Sequence, residues 1–174
     1  MKKHLAWIRE YFRKSSRTDV LENFLGLRIT KLAKGRCECA MKAVERHGNI
    51  YGTVHGGTLA AVADFAMGVA CVTAGKRVVT IDMSVSYLKG APARTRLRAE
   101  GEVICAGRRL MRAEGRIYGG GELLARSQAS YYVTGEFTAA DHPLRPQRAS
   151  KPGRRRAGKK CLASARLPGG PHRS

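Results

Sequence analysis

Asp64 is the only charged side chain between His55 and Lys76, and it stands inside Thr58–Val72, a run otherwise made almost entirely of small and apolar residues. An unpaired carboxylate in such surroundings costs on the order of several kcal/mol or takes up a proton. On a helix, steps of three and four from Asp64 reach Ala60, Ala61, Met67 and Gly68, and a further turn reaches Gly57 and Cys71. Apart from Met67 that stripe is small, so a ligand or a second backbone can come close to the carboxylate. Two plainer readings stay open: Asp64 on an exposed strip, or Asp64 bonded to a buried backbone N–H.

Upstream, His55-Gly56-Gly57 stands where a loop enters the same helix. Backbone N–H groups at that point are orphan donors with the positive end of the helix dipole behind them. They stabilise negative charge developing on an oxygen, and two glycines allow the close approach this needs. Asn49, six residues before His55, adds a neutral amide donor on the same loop. Taken singly, Asn49 and the glycine pair are equally turn residues.

These groups need a scaffold, and hydropathy patterning supplies one. Leu5, Ile8 and Phe12, beside Trp7 and Tyr11, predict an amphipathic helix near 3–14 that packs on the rest of the chain. Cys37, Cys39, Met41 and Ala43 alternate with polar residues and predict a strand over 35–44. The 57–74 segment predicts a buried helix. Four alternating runs follow: Val79, Ile81, Met83, Val85 and Tyr87 oppose Thr80, Asp82, Ser84 and Ser86; Leu97, Ala99 and Val103 oppose charged residues; Met111, Ala113 and Ile117 share a side; and Leu123, Ala125, Ala129, Tyr131 and Val133 share a face. An α+β architecture satisfies this order: an antiparallel sheet wrapped around one long central helix.

With 174 residues, of which 43% are hydrophobic, the chain has material for one compact domain rather than two. Its 33 Lys and Arg outnumber 13 Asp and Glu, and residues 145–174 hold ten of those basic residues and no acid. That stretch is rich in Pro and Gly and poor in large aliphatics, too little apolar surface to offset its ordering entropy. The expected division is an N-terminal helix over 1–16, a folded domain over 17–140 and a disordered basic tail over 141–174. No apolar run reaches the roughly 20 residues of a spanning helix, and Leu5–Ile8 is too short for a secretory leader. Five irregularly spaced cysteines without a C-x-x-C pair agree with a reducing, cytoplasmic setting and give no metal site.

Taken together, Asn49…Gly52…His55-Gly56-Gly57…Asp64 resembles, at every position, the N-x-x-G-x-x-H-G-G-x(6)-D signature of PaaI-like hotdog-fold acyl-CoA thioesterases. The likeness runs from about Gly26 to Tyr132 and includes the order of elements. It implies the hotdog fold and a homodimer or homotetramer whose active sites are shared between subunits. It also implies hydrolysis of an acyl- or aryl-acyl-CoA. Carried onto this chain, Gly56 N–H and Asn49 polarise the thioester carbonyl, His55 lies near the sulfur, and Asp64 of the other subunit acts as general base or, in second place, nucleophile. Thr80 stands where some relatives carry a hydroxyl that orients the water; its plainer reading is an ordinary strand threonine. No cofactor is implied, since thioester hydrolysis needs none.

Coenzyme A would bring phosphates to the surface. Lys89, Arg94, Arg108 and Arg109, at strand ends and turns, are candidates to meet them alongside Gly57, each being equally a solvated cation on a basic chain. Two competing classes are a non-catalytic acyl-CoA-binding hotdog module and a polyanion- or nucleic-acid-binding protein acting through the basic tail. Arg154-Arg155-Arg156 and Lys159-Lys160 lack interleaved aromatics, which disfavours base stacking and leaves salt-sensitive backbone attraction.

Overall fold

The computed structural model describes residues 2–15 and 20–138; the basic segment expected from 141 onward lies outside them. Along the chain come α1 (Lys2–Ser15), α2 (Leu21–Leu25), β1 (Arg28–Ala33), β2 (Arg36–Lys42), a 3-10 turn (Glu45–His47) and α3 (Gly56–Thr73). β3 (Lys76–Tyr87), β4 (Arg96–Ala106), β5 (Leu110–Gly119) and β6 (Glu122–Glu136) follow. The strands form one antiparallel sheet in the order β1-β2-β4-β5-β6-β3, wrapped around α3 in the hotdog arrangement. By length and composition α3 could cross a membrane, yet more than half of it is buried within the fold.

The alternation read in β2, β4 and β5 holds. Cys37, Cys39, Leu97, Ala99, Met111 and Ile117 are all buried against α3 residues such as Val62, Ala66 and Met67. α3 lies directly on β4 because Gly101 has no side chain: a Cβ there would stand 2.3 Å from the Ala66 carbonyl oxygen. At its other end α3 stops at Thr73, and Gly75 takes a left-handed φ of 89° to turn the chain into β3. α1 packs as its pattern predicts: Ile8 is fully buried, the Phe12 ring meets Phe65 edge-on, and Trp7 and Tyr11 close on Phe137.

Three departures from the sequence reading have one physical cause, a slipped register. The patterning predicts five strands, but the sheet has a sixth, β1, whose pairing with β2 shifts between Ile29 and Lys31 and so breaks its alternation. In β6, Ile117 pairs with Ala125 but Tyr118 with Leu123, which places Leu124 rather than Leu123 in the core. In β3, Thr80 pairs with Tyr131 and Asp82 with Ser130, so Ile81 is an extra residue, a β-bulge that exchanges the two faces. Val79 and Ile81, expected to share a face with Met83, are instead 53% and 55% exposed, while Val78 packs on the core. Thr80 consequently faces α3.

Candidate active site

Asp64 sits halfway along α3, half-buried, and accepts two hydroxyl hydrogens on the same oxygen. Thr80 Oγ1 donates to Oδ1 at 2.9 Å and Tyr131 Oη donates to it at 3.0 Å. Oδ2 has no partner among the described residues. The tyrosine hydroxyl also lies 3.3 Å from the Asp64 backbone carbonyl. Burial, and then the negative charge of Asp64, push the Tyr131 phenol well above its ordinary range. The same two causes push the Cys71 thiol, two turns further along α3, up to about 12. Both groups therefore stay protonated. Of the small stripe, Ala60, Ala61 and Gly68 are half-open, whereas Met67 departs from it and packs in the core beside Ser127.

The loop before α3 is tied together by Asn49. Its Oδ1 accepts the Tyr51 and Thr53 N–H groups at 2.9 and 3.2 Å, and its Nδ2 donates to Thr53 Oγ1 at 2.9 Å. Gly52 takes the left-handed φ of 75° that this turn needs. His55 caps α3: its Nδ1 accepts the Gly57 N–H at 2.8 Å, so the ring hydrogen is carried on Nε2, which points to a solvent-exposed surface. A Cβ on Gly57 would stand 3.0 Å from that ring nitrogen. The Thr58 and Leu59 N–H groups bond the His55 carbonyl, leaving Gly56 as the N-terminal residue whose N–H has no partner among the described residues. Tyr87 Oη donates to the Gly56 carbonyl at 3.0 Å and locks the end of β3 to the start of the helix.

Within one chain these parts form two separate groups. Eight residues of α3 separate Gly56 from Asp64, a rise of about 12 Å, too far for one carbonyl to touch both. The basic candidates also divide. Lys89 pairs with Glu122 and Arg94 with Glu45 near the start of α3. Arg108 and Arg109 lie at the far end, where the Val133 N–H bonds the Arg109 carbonyl. Nine residues of β6 separate those ends, about 30 Å. Tyr131, read from the sequence only as a core-face residue, is the Asp64 contact that sequence reasoning missed. Its polar tip on a buried face was the available signal.

The profile of the thioesterase superfamily matches residues 51–125. Human acyl-coenzyme A thioesterase 13 is 29% identical over 106 residues, covering 59% of this chain and 76% of that one. Among solved structures, a hypothetical thioesterase from Streptococcus pneumoniae TIGR4 with coenzyme A is similar at 28% identity and a TM-score of 0.64, covering 66% of this chain and 94% of the other. The PaaI protein of the Escherichia coli phenylacetic acid degradation operon shares the fold with a TM-score of 0.68 at 21% identity, covering 74% and 94%.

Proposed function

We propose that the chain is a thioester hydrolase of the thioesterase superfamily, with the PaaI-like hotdog fold, and that it hydrolyses an acyl- or aryl-acyl-CoA with Asp64 as the base. One observation carries this reading: the Asp64 carboxylate has one oxygen held by two hydroxyls and the other open beside a stripe of small residues. Oδ2 takes a proton from water as the water oxygen bonds to the carbonyl carbon. Charge building on the carbonyl oxygen meets the Gly56 N–H and the remaining Asn49 amide hydrogen. The C–S bond then breaks, His55 Nε2–H faces the departing sulfur, and the proton held on Asp64 passes to the thiolate. Direct attack by Oδ2 is the alternative first step.

The separation of Asp64 from Gly56 asks for a second copy, and the surface offers a place for one. β3 is a sheet edge, and the apolar side chains Ile81 and Tyr87 on it are exposed. Ile50 and Tyr51, at the tip of the Asn49 loop, are 92% and 81% exposed. Antiparallel pairing of β3 with its copy would continue the sheet and reverse one α3 against the other. That sets Asp64 of one subunit toward Gly56 and Asn49 of the next, in a homodimer alone or as half of a homotetramer. It also brings the Lys89 and Arg94 end of one subunit beside the Arg108 and Arg109 end of the other, where coenzyme A phosphates would meet both. We assign the protein to the cytoplasm, a reading supported by the free thiols of Cys37, Cys39 and Cys71.

The test is an acyl-CoA panel read by thiol release, with Asp64→Ala and Asp64→Asn beside the wild type. Loss of a general base lowers turnover by about 10²–10⁴-fold in variants that still fold. Near-normal kcat in either variant on every substrate would remove Asp64 from the mechanism, and binding without turnover by the wild type would leave a non-catalytic acyl-CoA module.

A further inference from the structure

We propose that Tyr131 is a positioning residue: with Thr80 it fixes Oδ1 of Asp64, and so determines that Oδ2 is the oxygen offered to the attacking water. The proposal rests on the reading of Asp64 as base and extends it to a side chain in the centre of the sheet.

The geometry makes Tyr131 the rigid member of the pair. It lies on β6, hydrogen-bonded on both sides, opposite Met111 of β5 and Thr80 of β3. Its ring is 1% exposed and passes beside α3 at Gly68, where an added Cβ would lie 3.9 Å from the ring edge, ordinary van der Waals contact. Thr80, by contrast, stands on the edge strand next to the Ile81 bulge and is exposed. The terminal torsion of an aspartate is broad and two-fold, so a half-turn exchanges its oxygens. A single mobile hydroxyl would follow either oxygen. Two donors arriving from opposed residues of paired strands, 2.9 and 3.0 Å from one oxygen, remove that equivalence. Tyr131 itself cannot serve as base, because its phenol remains protonated under the pressure of burial and of the Asp64 charge. Cys71, the other titratable group beside Asp64, stays a neutral thiol. The tyrosine contributes only a hydrogen-bond donor, and that is what a positioning role requires.

Tyr131→Phe removes one oxygen and preserves the ring. The expected result is a kcat about tenfold lower with KM within about twofold of wild type, as for a lost charge-assisted donor. The acid limb of kcat should move to higher pH, because a donor to a carboxylate favours its charged form. A buried tyrosine that merely fills space would move neither the limb nor the kcat-to-KM split. Wild-type kcat together with a wild-type acid limb in a folded Tyr131→Phe overturns the proposal. Should that variant fail to fold, 3-fluorotyrosine at 131, a stronger donor of nearly the same shape, should move the acid limb to lower pH, and an unmoved limb overturns it equally. A readout independent of turnover is the infrared carboxylate band found by subtracting Asp64→Asn from its parent, which must shift when the parent carries Tyr131→Phe. If the wild type hydrolyses no acyl-CoA, the proposed function falls, and the infrared band alone decides whether Tyr131 holds Asp64.

Discussion

The Asn49 carboxamide uses its oxygen for two backbone N–H groups and one amide hydrogen for Thr53 Oγ1, so a second amide hydrogen remains for a ligand. In the proposed mechanism loop closure and carbonyl polarisation would be carried by different atoms of one side chain, and a one-atom exchange separates them. In Asn49→Asp the acceptor for Tyr51 and Thr53 persists and Thr53 can donate in return, while both amide hydrogens are lost and a negative charge faces the developing oxyanion. The expected outcome is a Tm close to wild type and a kcat/KM lower by about two orders of magnitude or more. Steady-state kinetics beside thermal melts check it. Activity within threefold of wild type would reduce Asn49 to a turn residue, the plainer reading its residue type admits. The pairs made by Lys89 and Arg94 are exposed and worth little to stability, which leaves both cations free to exchange a carboxylate for a phosphate.

Elements bring these residues together through close approaches that only glycine permits. At Gly101 the backbone of α3 rests on β4, with the Ala66 carbonyl carbon and the Met67 nitrogen 2.4 and 2.6 Å from where a Cβ would be. Backbone on both sides cannot yield as a flexible side chain would, so Gly101→Ala lifts the helix or bends the strand. Overpacking of this kind costs about 3 kcal/mol, a fall of about 10 °C in Tm for a domain of this size. Gly90→Ala, with nothing within 4 Å of the added carbon, is the control and should melt as wild type does. What the chain disclosed about its own fold follows the same physics. Regular pairing repeats every second residue, so β2, β5 and β4 as far as Val103, before its own register shift, were legible with their buried faces. A bulge adds one residue without disturbing the apolar rhythm: Val79, Ile81, Met83 and Val85 read as an unbroken alternation, although the face changes at Ile81. Sequence reasoning could therefore nominate Thr80 by motif position but not show that it faces α3. It could not connect Tyr131 to Asp64 at all, because that pair is joined by cross-strand register over 67 residues.

At the scale of the whole molecule the question is whether one chain holds a complete site. The two halves lie about 12 Å apart along one helix, and the strand beside them is an unpaired edge, so activity should require at least a dimer with Asp64 and Asn49 supplied by different subunits. Complementation tests this directly. Asp64→Ala and Asn49→Ala homodimers should each be inactive, since every site in them would lack one residue. When the two proteins are unfolded together in equal amounts and refolded, random pairing makes half the dimers mixed. In each mixed dimer one site carries both lesions and the other carries none. About a quarter of wild-type activity should therefore return if the sites act independently, and the recovered fraction should follow the product of the two subunit fractions as the mixing ratio is varied. If a single chain built its own site, every site would carry one lesion in every dimer. Mixing would then restore nothing, even with heterodimers demonstrated by native mass spectrometry.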